Sequence, residues 1–167
     1  MPPPLAAAAA FGISYRPVTD DDLPFVALLY GTTRAEELAA TGWPETMQAA
    51  FLDQQHRAQH THYRVAYPNG EWLLIEQGGV PVGRLYLAEQ DAMLLIVDIS
   101  LLPAVRGGGL GTAILSDVLA AETRPVQLHV ERTKPARRLY ERLGFRLVED
   151  DGGALRVRMV RQPPPYA

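Results

Sequence analysis

Apolar positions along the chain switch repeatedly between the two-residue period of a strand and the longer period of a helix face. Residues 13–19, "ISYRPVT", alternate and predict a first strand, which Pro17 places at a sheet edge. Asp20, Asp21 and Asp22 supply the acids of a helix start, and "LPFVALLYGTTRAEEL" is helical in its first half. "TGWPE" breaks that pattern, and Pro44 suits the first turn of a second helix carrying Met47 and Phe51. "EWLLIEQ" and "VPVGRLYLAE" read as two strands joined at Gly78-Gly79, a hairpin signal. "AMLLIVDISLL" is almost wholly apolar and predicts a strand buried on both faces. Ile114, Val118 and Ala121 mark a helix face beyond it, and "PVQLHV" is another buried strand. Ala136, Leu139, Tyr140 and Leu143 recur at the spacing of an amphipathic helix, which Gly144 stops. "FRLVED" and "ALRVRMV" then predict a closing hairpin around Asp151-Gly152-Gly153. The order β-α-α-β-β-β-α-β-α-β-β implies a mixed α/β (α+β) sheet, parallel where a helix intervenes.

Composition narrows this picture without changing it. A chain of 167 residues, 47% hydrophobic and 21% charged, suits one domain with a real core. The boundaries expected are a disordered tail over 1–11, a domain over 12–161 and a loose tail over 162–167. The first tail, "MPPPLAAAAAF", has no lysine or arginine and only a weakly apolar alanine run, unlike a signal peptide. A formal charge of −3 argues against nucleic acid as the main partner. No apolar run is long enough to span a bilayer, so no membrane partner is expected. The chain has no cysteine, which excludes disulfides and a cysteine nucleophile and suits a cytoplasmic location. His56, His60 and His62 make no convincing metal set, and no metal is expected.

The candidate chemistry starts at "LLPAVRGGGLG", where glycines 107, 108, 109 and 111 stand between a strand and a helix. The first amides of a helix have no internal acceptor and attract anions, and glycines let a phosphate approach the backbone. A plain turn chosen for geometry would use the same residues. A nucleotide P-loop is excluded, because no Gly-Lys-Ser/Thr closes the run. A dinucleotide-binding fingerprint is weak, because the loop lies far from the first strand and no ribose-binding acid follows.

"RGGGLG", residues 106–111, resembles the Arg/Gln-x-x-Gly-x-Gly/Ala signature of the GCN5-related N-acetyltransferase (GNAT) superfamily. "LHVERTKPARRLYERLGF", residues 128–145, resembles that superfamily's second motif, a strand and helix ending in Leu-Tyr-x-x-x-Gly-Phe. The element order is similar over residues 13–161. The resemblance implies a mostly antiparallel sheet of about seven strands, splayed between strands 4 and 5 and flanked by about four helices. It implies an acyl-CoA, usually acetyl-CoA, as co-substrate. The amides from Arg106 through Gly107, Gly108, Gly109, Leu110 and Gly111 to Thr112 would hold its pyrophosphate. Backbone near Leu101, Leu102 and Val105 would pair with its pantetheine arm. The implied activity is N-acetyl transfer to a primary amine; a non-catalytic acyl-CoA sensor of the same fold is the alternative.

Roles for side chains follow from the same resemblance. Tyr140 occupies the position of the general acid that protonates the leaving thiolate; its other reading is a core tyrosine. His129 stands where some relatives carry a catalytic glutamate and is a candidate base; its other reading is a buried, backbone-bonded histidine. Asp98, an acid in an apolar strand, is a second candidate base or the partner of an arginine. Lys134 departs from the usual Asn of the second motif, and either reaches a phosphate or is solvated. Acceptor specificity in the superfamily lies with the N-terminal helices and the late hairpin. Here Glu36 and Glu37 would attract a cationic amine and Trp43 would wall a pocket, or the three are a solvated turn and a core tryptophan. Homodimers are common in such folds, and no exposed stripe in the sequence demonstrates one.

Overall fold

A computed structural model describes residues 1–148, 153 and 155–165. The elements are β1 (Ile13–Pro17), α1 (Leu23–Thr33), α2 (Ala35–Ala39), α3 (Glu45–Ala66), β2 (Glu71–Gln77), β3 (Val80–Gln90), β4 (Met93–Leu101), α4 (Leu110–Ala121), β5 (Val126–Glu131), α5 (Ala136–Arg142), β6 (Arg146–Val148) and β7 (Arg156–Arg161). The strands form a single sheet in the order β1-β2-β3-β4-β5-β7-β6. The β4–β5 pair is parallel, as a strand–helix–strand unit requires, and the other pairs are antiparallel. The seven strands and the mixed pairing agree with the expectation. Among the described residues there are five α-helices where about four were expected, because the chain breaks at Arg34 and resumes as the short α2. Most of the turn expected at Asp151-Gly152-Gly153 lies outside the described residues.

Two apolar layers hold the sheet. On one face Ile114, Leu115 and Val118 of α4 pack with Leu73, Ile75, Leu85, Ile96, Leu128 and Phe145. Removing one such fully buried leucine or isoleucine side chain typically costs about 2–5 kcal/mol. On the other face, α1 lies on β3 and β4 and buries Val26 and Leu29 completely.

The decisive irregularity is in β4. Ile96 pairs with Leu87 of β3 and Asp98 pairs with Tyr86, so Val97 is an extra residue with no partner. Such a bulge bends its strand and shifts the side-chain phase by one. Ile96 belongs to the α4 core, and without the extra residue Asp98 would point there too. The bulge instead puts Ile99 against that core. Asp98 and Ser100 fall on the opposite face, beside their register partners Tyr86 and Arg84. The β4–β5 pairing covers only Leu94–Ile96 against Val126–Leu128 and stops at the bulge. Beyond it the two strands part.

The segment expected as a disordered tail differs from that expectation at its inner end. Ala8–Phe11 form a 3₁₀ turn and Ala8 is fully buried. The cause is Asp117 of α4, which is 4% exposed and accepts the amides of Ala6, Ala7 and Ala8 at 3.1, 2.7 and 2.9 Å. Burial alone would raise the Asp117 pKa; the three amides overcome it and hold the carboxyl below its ordinary value. The contribution is therefore present above the unfolded carboxyl's pKa and is lost as pH falls through the depressed folded one. Asp117→Ala is expected to lower stability by about 2 kcal/mol in urea unfolding at neutral pH, with a smaller difference in acid; equal midpoints at neutral pH would contradict this.

Candidate functional site

The strand-to-helix corner after β4 is built to leave amides free. Pro103–Val105 form a 3₁₀ turn in which the Val105 and Arg106 amides donate to the carbonyls of Leu102 and Pro103. Gly109, at φ +90°, is the N-cap of α4, a conformation that side-chain-bearing residues rarely adopt. The first helical bond is Ala113 to the Gly109 carbonyl. Six consecutive amides, Gly107 through Thr112, therefore donate to no acceptor among the described residues. A Cβ built on Gly107 or Gly108 would meet nothing within 4 Å, so the corner is open as well as rich in donors. Free N–H groups, a helix N-terminus and open space together fit a diphosphate.

Three of the expected backbone contacts are corrected by this geometry. The Arg106 amide is spent inside the turn, so the donor run begins at Gly107. The Val105 amide is likewise spent, and the Leu102 amide donates to Val82 at 2.8 Å. Leu101 behaves differently. Because Leu102 bonds back to β3, the alternation of an antiparallel pair turns the Leu101 backbone outward, toward the gap before β5. Its carbonyl is held there by the Arg106 guanidinium at 2.8 Å. That guanidinium also reaches the Thr32 hydroxyl of α1 at 3.3 Å. Gly83 makes this corner possible: a Cβ there would lie 2.4 Å from the Ser100 carbonyl oxygen.

The side chains divide around the same gap. Asp98 is ion-paired to Arg84, which is 3% exposed, and Ser100 donates to the same carboxylate at 3.1 Å. Arg84 also donates to Gln59 of α3 at 2.9 Å and lies over the Tyr86 ring at 4.7 Å. Of the two readings of Asp98, the arginine pair is the one present. Tyr140 packs edge-to-face on Phe145, 5.8 Å between centroids. Its hydroxyl makes no hydrogen bond among the described residues. Burial, and then the Asp98 charge, push its pKa up to about 12. Tyr63 of α3, in the stretch "HTHYR" that the sequence offers toward the acceptor without a role for the phenol, is pushed to about 12 by burial and by the same carboxylate. Both phenols keep their protons at neutral pH. His129 follows Leu128, the last residue of β5 paired to β4, and is exposed on the face opposite the α4 core. Burial of part of the ring, then Arg156 and Arg158, hold its pKa below the ordinary value.

The remaining candidates scatter. Lys134 is 4.0 Å from Glu131 and shares a cavity with Arg137 and Arg138 at the start of α5. Glu37 is ion-paired to Arg34, and that bond, with Lys134 contributing, holds its carboxyl below the usual range. Glu36 is exposed on α2. Trp43 packs edge-to-face on Phe51 of α3 at 5.4 Å, and its described contacts do not reach Asp98, His129 or Tyr140.

A family model described as "Acetyltransferase (GNAT) family" matches residues 33–145, which contain the glycine corner, both parted strands and α5. The chain belongs to the GNAT acetyltransferase family. No curated protein sequence matches it. Among solved structures, this GNAT chain is similar to the PaiA N-acetyltransferase of Thermoplasma acidophilum in complex with coenzyme A, at 14% identity and TM-score 0.66 over 90% of this chain and 98% of that one. It is also similar to an acetyltransferase of Thermus thermophilus, at 24% identity and TM-score 0.66 over 89% and 96%. A third, yncA of Salmonella typhimurium with its cofactor acetyl-CoA, gives 18% and 0.57 over 93% and 96%. At these identities the likeness is one of fold. Membership supports acetyl transfer in general, and the acceptor is a separate question.

Gly111 carries one of the free amides, and a Cβ on it would lie 3.7 Å from Leu101. Gly111→Glu places bulk and negative charge there, and is expected to weaken coenzyme A binding by about a hundred-fold or more in calorimetry; unchanged affinity would put the diphosphate elsewhere.

Proposed function

We propose that the chain transfers the acetyl group of acetyl-CoA directly to a primary amine. The observation that carries the reading is the run of six unbonded amides, Gly107 to Thr112, ending beside the gap between β4 and β5. The amides hold the pyrophosphate. The outward backbone of Ile99 and Leu101 pairs with the pantetheine amides, which brings the thioester to the bulge.

The neutral amine attacks the carbonyl carbon, forming the C–N bond as the C–S bond breaks. The ammonium proton leaves to a base, and the departing thiolate takes the Tyr140 proton. A phenol near pKa 12 is a weak acid toward water, but it stays fully protonated until a thiolate appears beside it. His129 is the base in this reading. It stands exposed where β5 leaves β4, and its depressed pKa keeps the imidazole neutral at physiological pH. Asp98 shapes the cleft through Arg84 and does not take the proton, because the guanidinium and the Ser100 hydroxyl already occupy its carboxylate. Lys134, at the start of α5 with Arg137 and Arg138, meets a phosphate of the co-substrate in this reading.

Thiol release on an amine panel tests the proposal. Turnover with at least one amine is expected, whereas coenzyme A binding without thiol from any amine would make the chain an acyl-CoA sensor. Tyr140→Phe is expected to lower kcat by about a hundred-fold with little change in coenzyme A affinity; wild-type kcat would remove the acid role. Because only neutral imidazole accepts a proton, kcat/KM should rise through a limb centred below 6.5, the ordinary histidine value. His129→Gln should abolish that limb, and an unaltered profile would assign the base elsewhere.

A further inference from the structure

Among the described residues, arginines line the side of the gap that carries His129. The register sets Arg158 opposite His129 and Arg156 opposite Glu131, and facing residues of an antiparallel pair share one side of the sheet. That side also carries Asp98 and Arg84 and is the side on which α3 lies. Among the described residues, Asp98 is paired to Arg84, Glu131 lies 4.0 Å from Lys134, and Glu37 of α2 is paired to Arg34. Arg156 differs. It is exposed, makes no ion pair among the described residues, and its described hydrogen bond is a long one, 3.4 Å to the His129 carbonyl. Its charge acts on His129 and on Tyr63, which stand on opposite sides of the gap. Arg158, beside it in β7, donates to the Gln127 side chain at 3.0 Å and is not part of the open charge.

Resting on the transferase reading above, we infer that the acceptor is an amine that also carries an anionic group, a carboxylate or a phosphate, which Arg156 binds while the amine meets His129. A polyamine or another polycation brings a second positive charge to this wall and is disfavoured. Of the two carboxylates expected to recruit a cationic amine, Glu37 is paired to Arg34 and Glu36 is exposed on α2; in this inference Arg156, at the gap itself, selects the acceptor.

Matched amines isolate the effect. The panel is γ-aminobutyrate, butylamine and putrescine, with O-phosphoethanolamine against ethanolamine. The expected order of kcat/KM is γ-aminobutyrate above butylamine by about ten-fold, with putrescine lowest, since one charge pair near a protein surface changes a constant by roughly that much. The phosphate pair tells which anion is preferred. Arg156→Gln should shrink the anionic advantage to about two-fold, and Arg156→Lys should retain most of it. Two results would overturn the inference: putrescine or butylamine used as well as the anionic amines, or an anionic preference that survives Arg156→Gln. If no amine releases thiol although coenzyme A binds, the transferase reading fails by itself. Calorimetry of γ-aminobutyrate and O-phosphoethanolamine against the coenzyme A complex then decides the inference. Binding that Arg156→Gln abolishes supports it, and no binding of either overturns it.

Discussion

One surplus residue organises this molecule. Val97 has no partner across the β3–β4 ladder, and two consequences follow at once. The parallel pairing of β4 with β5 ends after Leu94–Ile96, which leaves backbone groups of both strands facing a gap. The side-chain phase of β4 also inverts, so an aspartate that would have entered an apolar core meets Arg84 and Ser100 on the other face. Burying Asp98 unpaired among leucines would be prohibitive. The bulge removes that problem and opens the cleft in the same step.

The glycine corner depends on neighbours that hold its amides away from other uses. The 3₁₀ turn at Pro103–Val105 absorbs the Val105 and Arg106 amides, and positive φ at Gly109 starts α4 abruptly. Beneath the corner, the N-terminal strap is fastened by Asp117, and its Phe11 ring comes within 3.8 Å of where a Gly109 Cβ would stand. The Asp117 carboxylate thus anchors the segment that underlies the glycine corner. The free amides then need little reorganisation when an anion arrives, which is the condition for backbone donors to contribute fully.

Much of this was legible in the sequence, and the reasons are local. The helix of α5 declares itself through apolar spacing, and the glycine run between an apolar strand and a helix can be read without coordinates. The family resemblance adds the class of co-substrate and is the source of the role proposed for Tyr140. What could not be read is non-local. A bulge in a continuous apolar run leaves no compositional trace, because Val97 looks like its neighbours. Arg84 and Tyr63 reach Asp98 from another strand and another helix, and no spacing rule connects them. Ala6–Ala8 look like a solvated tail until a buried aspartate more than a hundred residues later collects their amides. The commitments of Leu102, Val105 and Arg106 depend on turn geometry that composition does not reveal.

The central claim is that an acyl-CoA lies along β4 from the bulge to the α4 N-terminus. Amide hydrogen exchange with and without acetyl-CoA tests it directly. Slowed exchange at Ile99, Leu101 and Gly107–Thr112 is the result required. Unchanged exchange at those amides, with the ligand bound, would contradict the account.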